Sequence, residues 1–442
     1  MRKIDILILY EHKARELENS ALIATELERR GYTTKILNIS SNSKFYIDSK
    51  VVLVPHVYNE FQLRYFTRND KNSNRNVISM QYEQILSEAS EDGIHNPSGQ
   101  AKEAQHLAWG QVQVDRYLSH GIKPEHIHDV GSVAIDLFRP EFKDYFLSKE
   151  QIAKEFKIDI DKQWILFISS FSYVNRSEEE IKCLECLNPN ARIFSDFSNK
   201  SYKEILVWLR KAAEKHPEKI FIYRRHPAER DNEHLHEIEN SISNFRCINA
   251  YSMRQWAIIS DKIYNWYSTS LADIYFAGKP CYILRPVTVP EGLEVSIMLG
   301  GVFINSNDDF EKTIDEDDYS FPVLDKNVTR FFSNSKTGEM AYQKVADLCE
   351  RMITDSTLGF DYNFSPIKKD LRYYLRFILE KLLYSWGLYH QTPRRLLNIL
   401  ALVPTLNRLE SKLNLYNTDL YNSEKEVKLY KDKFRKIFEQ IY

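Results

Sequence analysis

The run FIYRRHPAERDNEH, residues 221–234, carries the densest chemistry in the chain. A strand-like apolar stretch ends there in Arg224, Arg225, His226 and Pro227. In an open parallel sheet, ligands bind just beyond the carboxyl ends of the strands. Two guanidiniums and an imidazole at such an end suit a phosphate or a carboxylate. Pro227 stiffens the turn and so gives His226 a fixed direction. The alternative is a surface turn with solvated Arg and His. A second His-Pro, His216-Pro217, shows that the dipeptide alone carries little.

Residues 264–284, YNWYSTSLADIYFAGKPCYIL, form a second constellation. A strand pattern gives way to Ser268, Thr269 and Ser270, then to a helix. Hydroxyls and free N–H groups at a helix start make an anion site without glycine, or serve only as an N-cap. Asp273, one turn on, can bond a ribose hydroxyl. Ser169 and Ser170 follow WILFI and can touch a base or phosphate, or cap a turn. In the N-terminal half, Glu83 follows the strand NVISM and Asp92 comes shortly after. Both offer carboxylates for general acid/base work. The first loop brings Glu11, His12, Arg15 and Glu16, which line a ligand site or make charge pairs on an exposed helix start. His234-x-His236 and His126-x-His128 lack a third ligand. Asp159-x-Asp161 and Asp315-x-Asp317 read as solvated loops, so no metal is expected.

The elements that must position these residues alternate. Ile4–Tyr10 reads as a strand and Glu16–Arg30 as a helix capped by Gly31. Thr34–Leu37, Val51–Pro55, Val77–Gln81 and Ile127–Gly131 are further apolar runs, and HLAWGQVQVDRYLSHG reads as helical. The pattern restarts with Trp164–Ser169, a helix over Tyr202–Lys215, and strands at Ile220–Tyr223, Phe245–Ile248 and Lys262–Tyr264. A helix at Leu271–Ala277 and a strand at Cys281–Leu284 complete it. Strands alternating with helices predict an α/β fold. Two Rossmann-like domains, residues 1–147 and 148–360, would face a cleft, the default site. This is the GT-B architecture, which epimerases and binding proteins also use.

Composition narrows the classes. Only 13 of 442 residues are glycine and no two stand two apart, so G-x-G-x-x-G cannot occur; a P-loop is also absent. The net charge of −2 argues against a nucleic-acid partner. Cys183 and Cys186 make one C-x-x-C without a second pair, read as buried small residues in preference to a zinc or redox site. MRKIDILILY reads as a first strand and not a signal peptide, no apolar stretch reaches about 18–20 residues, and the expected compartment is the cytoplasm.

The C-terminal hundred residues differ. Residues 361–404 are basic and aromatic, with Lys368, Lys369, Arg372, Arg376, Tyr373, Tyr374 and Phe377. They read as helices on an anionic membrane surface, or as a helix pair packed on the preceding domain. From Leu406 to Ile441 apolar residues repeat at 3-4 spacing. Residues 405–442 therefore read as the start of a coiled coil with a homo-oligomeric partner, the alternative being one helix lying on the globular part. The pattern runs to Tyr442, so a longer protein is expected.

Together these pieces resemble the retaining β-Kdo glycosyltransferases of bacterial capsule and O-antigen assembly. EHKARELE is similar to that group's N-terminal signature. HLAWGQVQVDRYLSHGIKPEHIHDVGSVAIDLFRPE is similar to the end of its acceptor domain. RRHPAE and STSLADIYFAGKP are similar to its HP and Ser/Thr nucleotide motifs, which sialyltransferases also carry. The resemblance spans roughly residues 1–360. It implies a CMP-Kdo donor on the second domain and an oligosaccharide acceptor, lipid-linked at the inner membrane, on the first. Arg225 and His226 would meet the phosphate or the Kdo carboxylate, Ser268, Thr269 and Ser270 the phosphate, and Asp273 the ribose. No metal or other cofactor is implied. Retention calls for a carboxylate nucleophile, and behind the HP turn the chain offers Asp231, then Asn232. An amide at the family's acidic position would make a slow variant. Glu83 and Asp92 are candidates for the acceptor's base. The coiled coil resembles that of enzymes which cap an O-antigen chain with Kdo. Other readings are an inverting CMP-sialic acid transferase, a CDP-glycerol glycerophosphotransferase and a non-catalytic membrane scaffold.

Overall fold

The computed structural model describes residues 2–39, 41, 44, 47–67, 76–186, 188–226, 229–230, 232–316, 325–334, 337–363, 371, 378 and 424–442. Pro227, Asp231, most of the basic and aromatic stretch and the first part of the 3-4 repeat lie outside these residues.

In chain order, β1 (Arg2–Tyr10), α1 (Lys13–Arg29), β2 (Thr34–Asn38), β3 (Ile47–Val54), α2 (Glu60–Thr67) and β4 (Val77–Ser79) come first. Then follow α3 (Glu88–Glu91), β5 (Gln105–Ala108), α4 (Gln111–Ser119), β6 (Ile127–Asp129) and α5 (Val133–Asp136). The next group is α6 (Lys149–Phe156), β7 (Gln163–Ile168), α7 (Glu178–Glu185), α8 (Ala191–Lys215), β8 (Lys219–Arg224), α9 (Glu233–Ser241) and β9 (Phe245–Cys247). After it come α10 (Met253–Ile259), β10 (Lys262–Asn265), α11 (Leu271–Phe276), β11 (Cys281–Leu284) and β12 (Phe303–Ile304). Last are α12 (Asn307–Asp315), α13 (Asp325–Thr329), α14 (Ala341–Thr354) and α15 (Glu424–Ile441).

The chain divides into two units. The first holds residues 1–84, 96–137 and 333–442, and the second residues 85–95 and 138–332. Each has one six-stranded sheet, ordered β2-β1-β3-β4-β5-β6 in the first and β12-β11-β10-β7-β8-β9 in the second. Every pairing is parallel. Parallel strands are covered on both faces, which is why WILFI and CYIL read as unbroken apolar runs. The strand order reverses between β1 and β3 in one unit and between β7 and β10 in the other. Those are the positions at which doubly wound sheets open to ligands.

Several expectations are corrected. HLAW opens as strand β5, and the helix begins only at Gln111, after Gly110. The divide falls at 137/138, and the chain leaves the second unit near 332, not at 360. The return has a polar latch: Asn334 Nδ2 donates to Ser132 O (2.9 Å) and Asp136 Oδ1 (3.0 Å), and Asp136 Oδ2 accepts from Tyr342 N (2.9 Å). Gly131 makes room for it; at φ +83° its missing Cβ would lie 2.8 Å from Asn334 Oδ1. The buried face of α14, Val345, Leu348, Cys349 and Met352, then closes the first unit. Cys183 and Cys186 are exposed, not buried.

The 3-4 repeat is also placed differently. Its described part, α15, lies on α1 of the same chain, with Phe434, Ile437 and Phe438 buried. Lys431 donates to Glu28 (2.6 Å), Lys13 pairs with Glu426 (2.8 Å), and Phe438 stacks on Tyr342 at 5.6 Å. The described end of the apolar stripe is covered within the chain by α1. Among the described residues no helix is long and apolar enough to cross a membrane. Phe438→Ala is expected to cost about 3–5 kcal/mol of stability, read as a lowered urea midpoint. Docking within one chain makes that midpoint independent of protein concentration, whereas a coiled-coil assembly would make it concentration-dependent.

Candidate functional site

In the second unit the chemistry collects at the carboxyl ends of three adjacent strands, β10, β7 and β8. β7 delivers Ser169 and Ser170, β8 delivers Arg224, Arg225 and His226, and β10 leads to Ser268, Thr269 and Ser270. The first two are stitched by Ser169 N donating to Arg224 O (3.0 Å). Their centre is Glu229, only 8% exposed. Its carboxylate accepts from the Ser169 hydroxyl, from Tyr223 OH (2.8 Å) and from the His226 N–H (3.2 Å). Burial raises its pKa, against the pull of Ser169, Tyr223, the His226 N–H and Arg225. Glu229 thus fixes the backbone of the HP turn on the end of β7. The motif RRHPAE contains it, but sequence reasoning gave it no role; a carboxylate two residues past His-Pro was the available signal.

Arg225 and His226 are half-buried at this turn, and Arg225 N donates to Asn249 Oδ1 (3.2 Å). Arg224 is placed differently from expectation. It is 7% exposed and donates to the Tyr251 carbonyl, holding a residue whose φ is +64°. It shapes the site from beneath and does not face a ligand beside Arg225. The Ser/Thr segment also departs from a simple helix cap. Ser268 N donates to Asn265 Oδ1 (3.0 Å), Ser270 N donates to Ser268 Oγ (3.2 Å), and α11 has only six residues. The segment is a hydroxyl-lined turn more than a helix-terminus anion hole. Asp273 lies 3.7 Å from the buried Arg254, which orients its carboxylate. Asn232 caps α9, its Oδ1 accepting from His234 N (2.9 Å). Asp is as good a cap as Asn, so this position tolerates either.

In the first unit a separate cluster forms at the ends of β1, β3 and β4, which are also adjacent. Arg15 pairs with Glu16 (2.7 Å) and with Glu83. Burial opposes the Arg15 charge, but Glu83 and Glu16 outweigh it and hold the guanidinium protonated. Glu11 lies 3.5 Å from His56 and 3.9 Å from His12, and Glu16 accepts from its N–H (2.7 Å). Burial raises the Glu11 pKa, with His12 pulling the other way. His56, stacked on Tyr58 at 4.7 Å, was not anticipated; the strand-end HVY was its only signal. Gln81, at φ +48°, turns the chain so that Glu83 follows. The structure therefore brings Glu11, His12, Arg15 and Glu83 together. Asp92 is exposed, ends α3 and belongs to the second unit. Among the described residues no group of three His, Cys, Asp or Glu converges as a metal site would require.

No protein-family model matches the sequence, and no curated protein matches it. Solved structures do resemble the fold. The wall teichoic acid polymerase TagF (H548A) aligns over 80% of this chain and 89% of its own, with TM-score 0.54 and 14% identity. UDP-GlcNAc 2-epimerase from Neisseria meningitidis, bound to UDP-GlcNAc, covers 80% and 100% at TM-score 0.49 and 14% identity. S. aureus MnaA with UDP covers 83% and 100% at TM-score 0.48 and 14% identity. The likeness to TagF shows the fold: two Rossmann-like α/β units of the GT-B kind.

Glu229 makes a pH prediction. A carboxyl whose folded pKa is raised favours the folded state below its ordinary value of 4.5 and loses that stability as pH rises through the folded pKa. Glu229→Gln removes the titrating charge while keeping an acceptor. Urea midpoints from pH 4.5 towards neutrality should fall less steeply in the variant than in the parent.

Proposed function

We propose that this chain is a glycosyltransferase that moves Kdo from CMP-Kdo to the non-reducing end of a bacterial surface glycan, with retention. The observation that carries the reading is the ring of hydroxyls, guanidinium and imidazole at the ends of β10, β7 and β8. It occupies the reversal point of a GT-B unit and needs no glycine loop. Arg225 and His226 bind the donor phosphate or the sugar carboxylate and stabilise the departing CMP. Ser169, Ser170 and the 268–270 turn supply hydroxyl and N–H contacts, and Asp273, set by Arg254, meets the ribose. Such a site neutralises the leaving phosphate without a metal.

The acceptor belongs on the first unit's cluster. Glu83 is committed to Arg15, which weakens it as a base. Glu11, with its raised pKa and two imidazoles nearby, suits the task of taking the acceptor hydroxyl's proton. A lipid-linked acceptor would keep the protein at the inner membrane's cytoplasmic face. In a double displacement, a carboxylate just past the HP turn attacks the anomeric carbon as CMP leaves. The acceptor oxygen then displaces that carboxylate, and two inversions give retention.

A second reading is favoured by the likeness to the teichoic acid polymerase, whose structures include one with CDPG. It is transfer from a CDP-linked alcohol donor. Incubation with an oligosaccharide acceptor and either CMP-Kdo or CDP-glycerol, followed by CMP release, separates the two. Release only from CMP-Kdo, with the anomeric configuration retained by NMR, is expected. Release only from CDP-glycerol would replace the first reading with the second. Asp231→Asn and Asn232→Asp test the nucleophile. CMP release should track the carboxylate at one of these positions, by about a thousandfold or more. Rates unmoved by both changes would remove the covalent mechanism.

A further inference from the structure

The loops after β7 and β10 carry aromatic rings that the phosphate chemistry does not use. Phe171 and Trp266 stack at 4.1 Å and 24°, and Phe197 lies 5.2 Å from the same indole. These three are buried and belong to the core. At their margin stand Tyr173, Phe194 and Tyr267, all only half-buried. Phe194 meets Tyr173 edge-on at 5.0 Å and Tyr267 at 4.9 Å.

This margin is held still by polar contacts. Ser195 Oγ, next to Phe194 on α8, donates to the Tyr173 carbonyl (3.1 Å). The Tyr267 hydroxyl donates to Leu293 O, and the Arg285 guanidinium lies 5.4 Å from the Tyr267 ring. Arg230 donates to Asn175 O (3.0 Å), tying the loop that bears Tyr173 to the segment that bears His226. Glu229 makes the same connection through Ser169.

Position points to the occupant. Tyr173 sits on the loop leaving β7 and Tyr267 on the loop leaving β10, on either side of the strand-order reversal, with Phe194 of α8 in contact with both rings, and the HP turn leaves β8 next door. Adjacent strands are about 4.8 Å apart, so these ends span roughly 10 Å, comparable to a nucleoside monophosphate from base to phosphate. Every nucleobase has a π-face that stacks on aromatic side chains.

We propose that the half-exposed edge of Tyr173, Phe194 and Tyr267 is the nucleobase platform of the donor site, where the pyrimidine of a cytidine nucleotide stacks while its phosphate reaches the Arg225–His226 turn. The proposal rests on the nucleotide-donor reading above. It assigns base recognition to ring stacking on the β7 and β10 loops and the start of α8, with the phosphate held separately.

Calorimetric titrations of CMP and of ribose 5-phosphate into the full chain test it. The parent should bind CMP about 5- to 150-fold more tightly than ribose 5-phosphate, the range of one stacked base. Phe194→Leu and Tyr173→Leu should each weaken CMP at least about fivefold and leave ribose 5-phosphate unchanged, while Phe194→Tyr keeps the parent affinity. Tyr173 lies on a loop, so its variant stays informative if the Phe194 change unsettles α8; circular dichroism melting checks both. If the parent binds CMP and both folded leucine variants bind it equally well, the platform is overturned and the donor reading survives. If the parent binds neither ligand, both fall.

Discussion

A parallel strand covered on both faces is mostly apolar along its length, because each buried polar side chain needs a hydrogen-bonding partner, so most of its chemistry is pushed beyond its ends. Both sheets obey this constraint. The aliphatic runs of β1, β3, β7 and β8 are buried almost throughout, and polar or titratable residues gather where each run stops. Tyr10 is followed by Glu11 and His12, Pro55 by His56, and Arg224 by Arg225 and His226. Helices occupy the faces, leaving the carboxyl ends as the ground for ligands. The loops that bear the candidate residues have their positions because the sheets leave nowhere else for them.

Within that constraint, buried polar groups set direction. Glu229 is the clearest case. Its oxygens gather a serine from one strand end, a tyrosine from inside the next strand and an N–H from the turn itself. A carboxylate buried this deeply is tolerated because it is hydrogen-bonded, and the bonds fix the turn that carries His226. Arg224 works similarly on Tyr251, and the positive φ of Tyr251 and Gln81 is the kind of local strain that surrounding structure must hold in place. In the first unit Arg15 draws Glu16 and Glu83 together and leaves Glu11 beside the imidazoles. The two clusters differ in character. One offers hydroxyls, imidazole and guanidinium suited to anions, and the other offers carboxylates suited to moving protons.

Much of the candidate site could be read from residue types at strand ends. Ser169, Arg225, His226 and Ser268 were found because an apolar run stops just before each. Glu11 and Glu83 were found for the same reason. What could not be read was which neighbours consume which groups. Arg224 and Arg225 are adjacent and identical in type, yet the alternation of a strand sends Arg224 inward to a carbonyl and leaves Arg225 at the turn. Glu229 looked like one acid among several in AERDNEH, and only the closeness of β7 to β8 makes it a centre. His56 lacked any motif and gained a partner only when β3 was placed beside β1.

The sequence by itself determined most of the element types, the two alternating α/β halves and the chemistry at their strand ends, because period, apolar runs and strand termini are local properties; β5, hidden in HLAW, was the exception. It also showed that any phosphate site must do without a glycine loop. Only the tertiary structure decided where the amphipathic pieces go. Residues 85–95 join the second unit, α14 returns to the first, and α15 lies on α1 where a coiled-coil seam was expected. An apolar stripe records that a helix must be covered and says nothing about what covers it. That choice is made by shape and by ion pairs such as Lys431–Glu28 and Lys13–Glu426, whose partners are hundreds of residues apart in sequence.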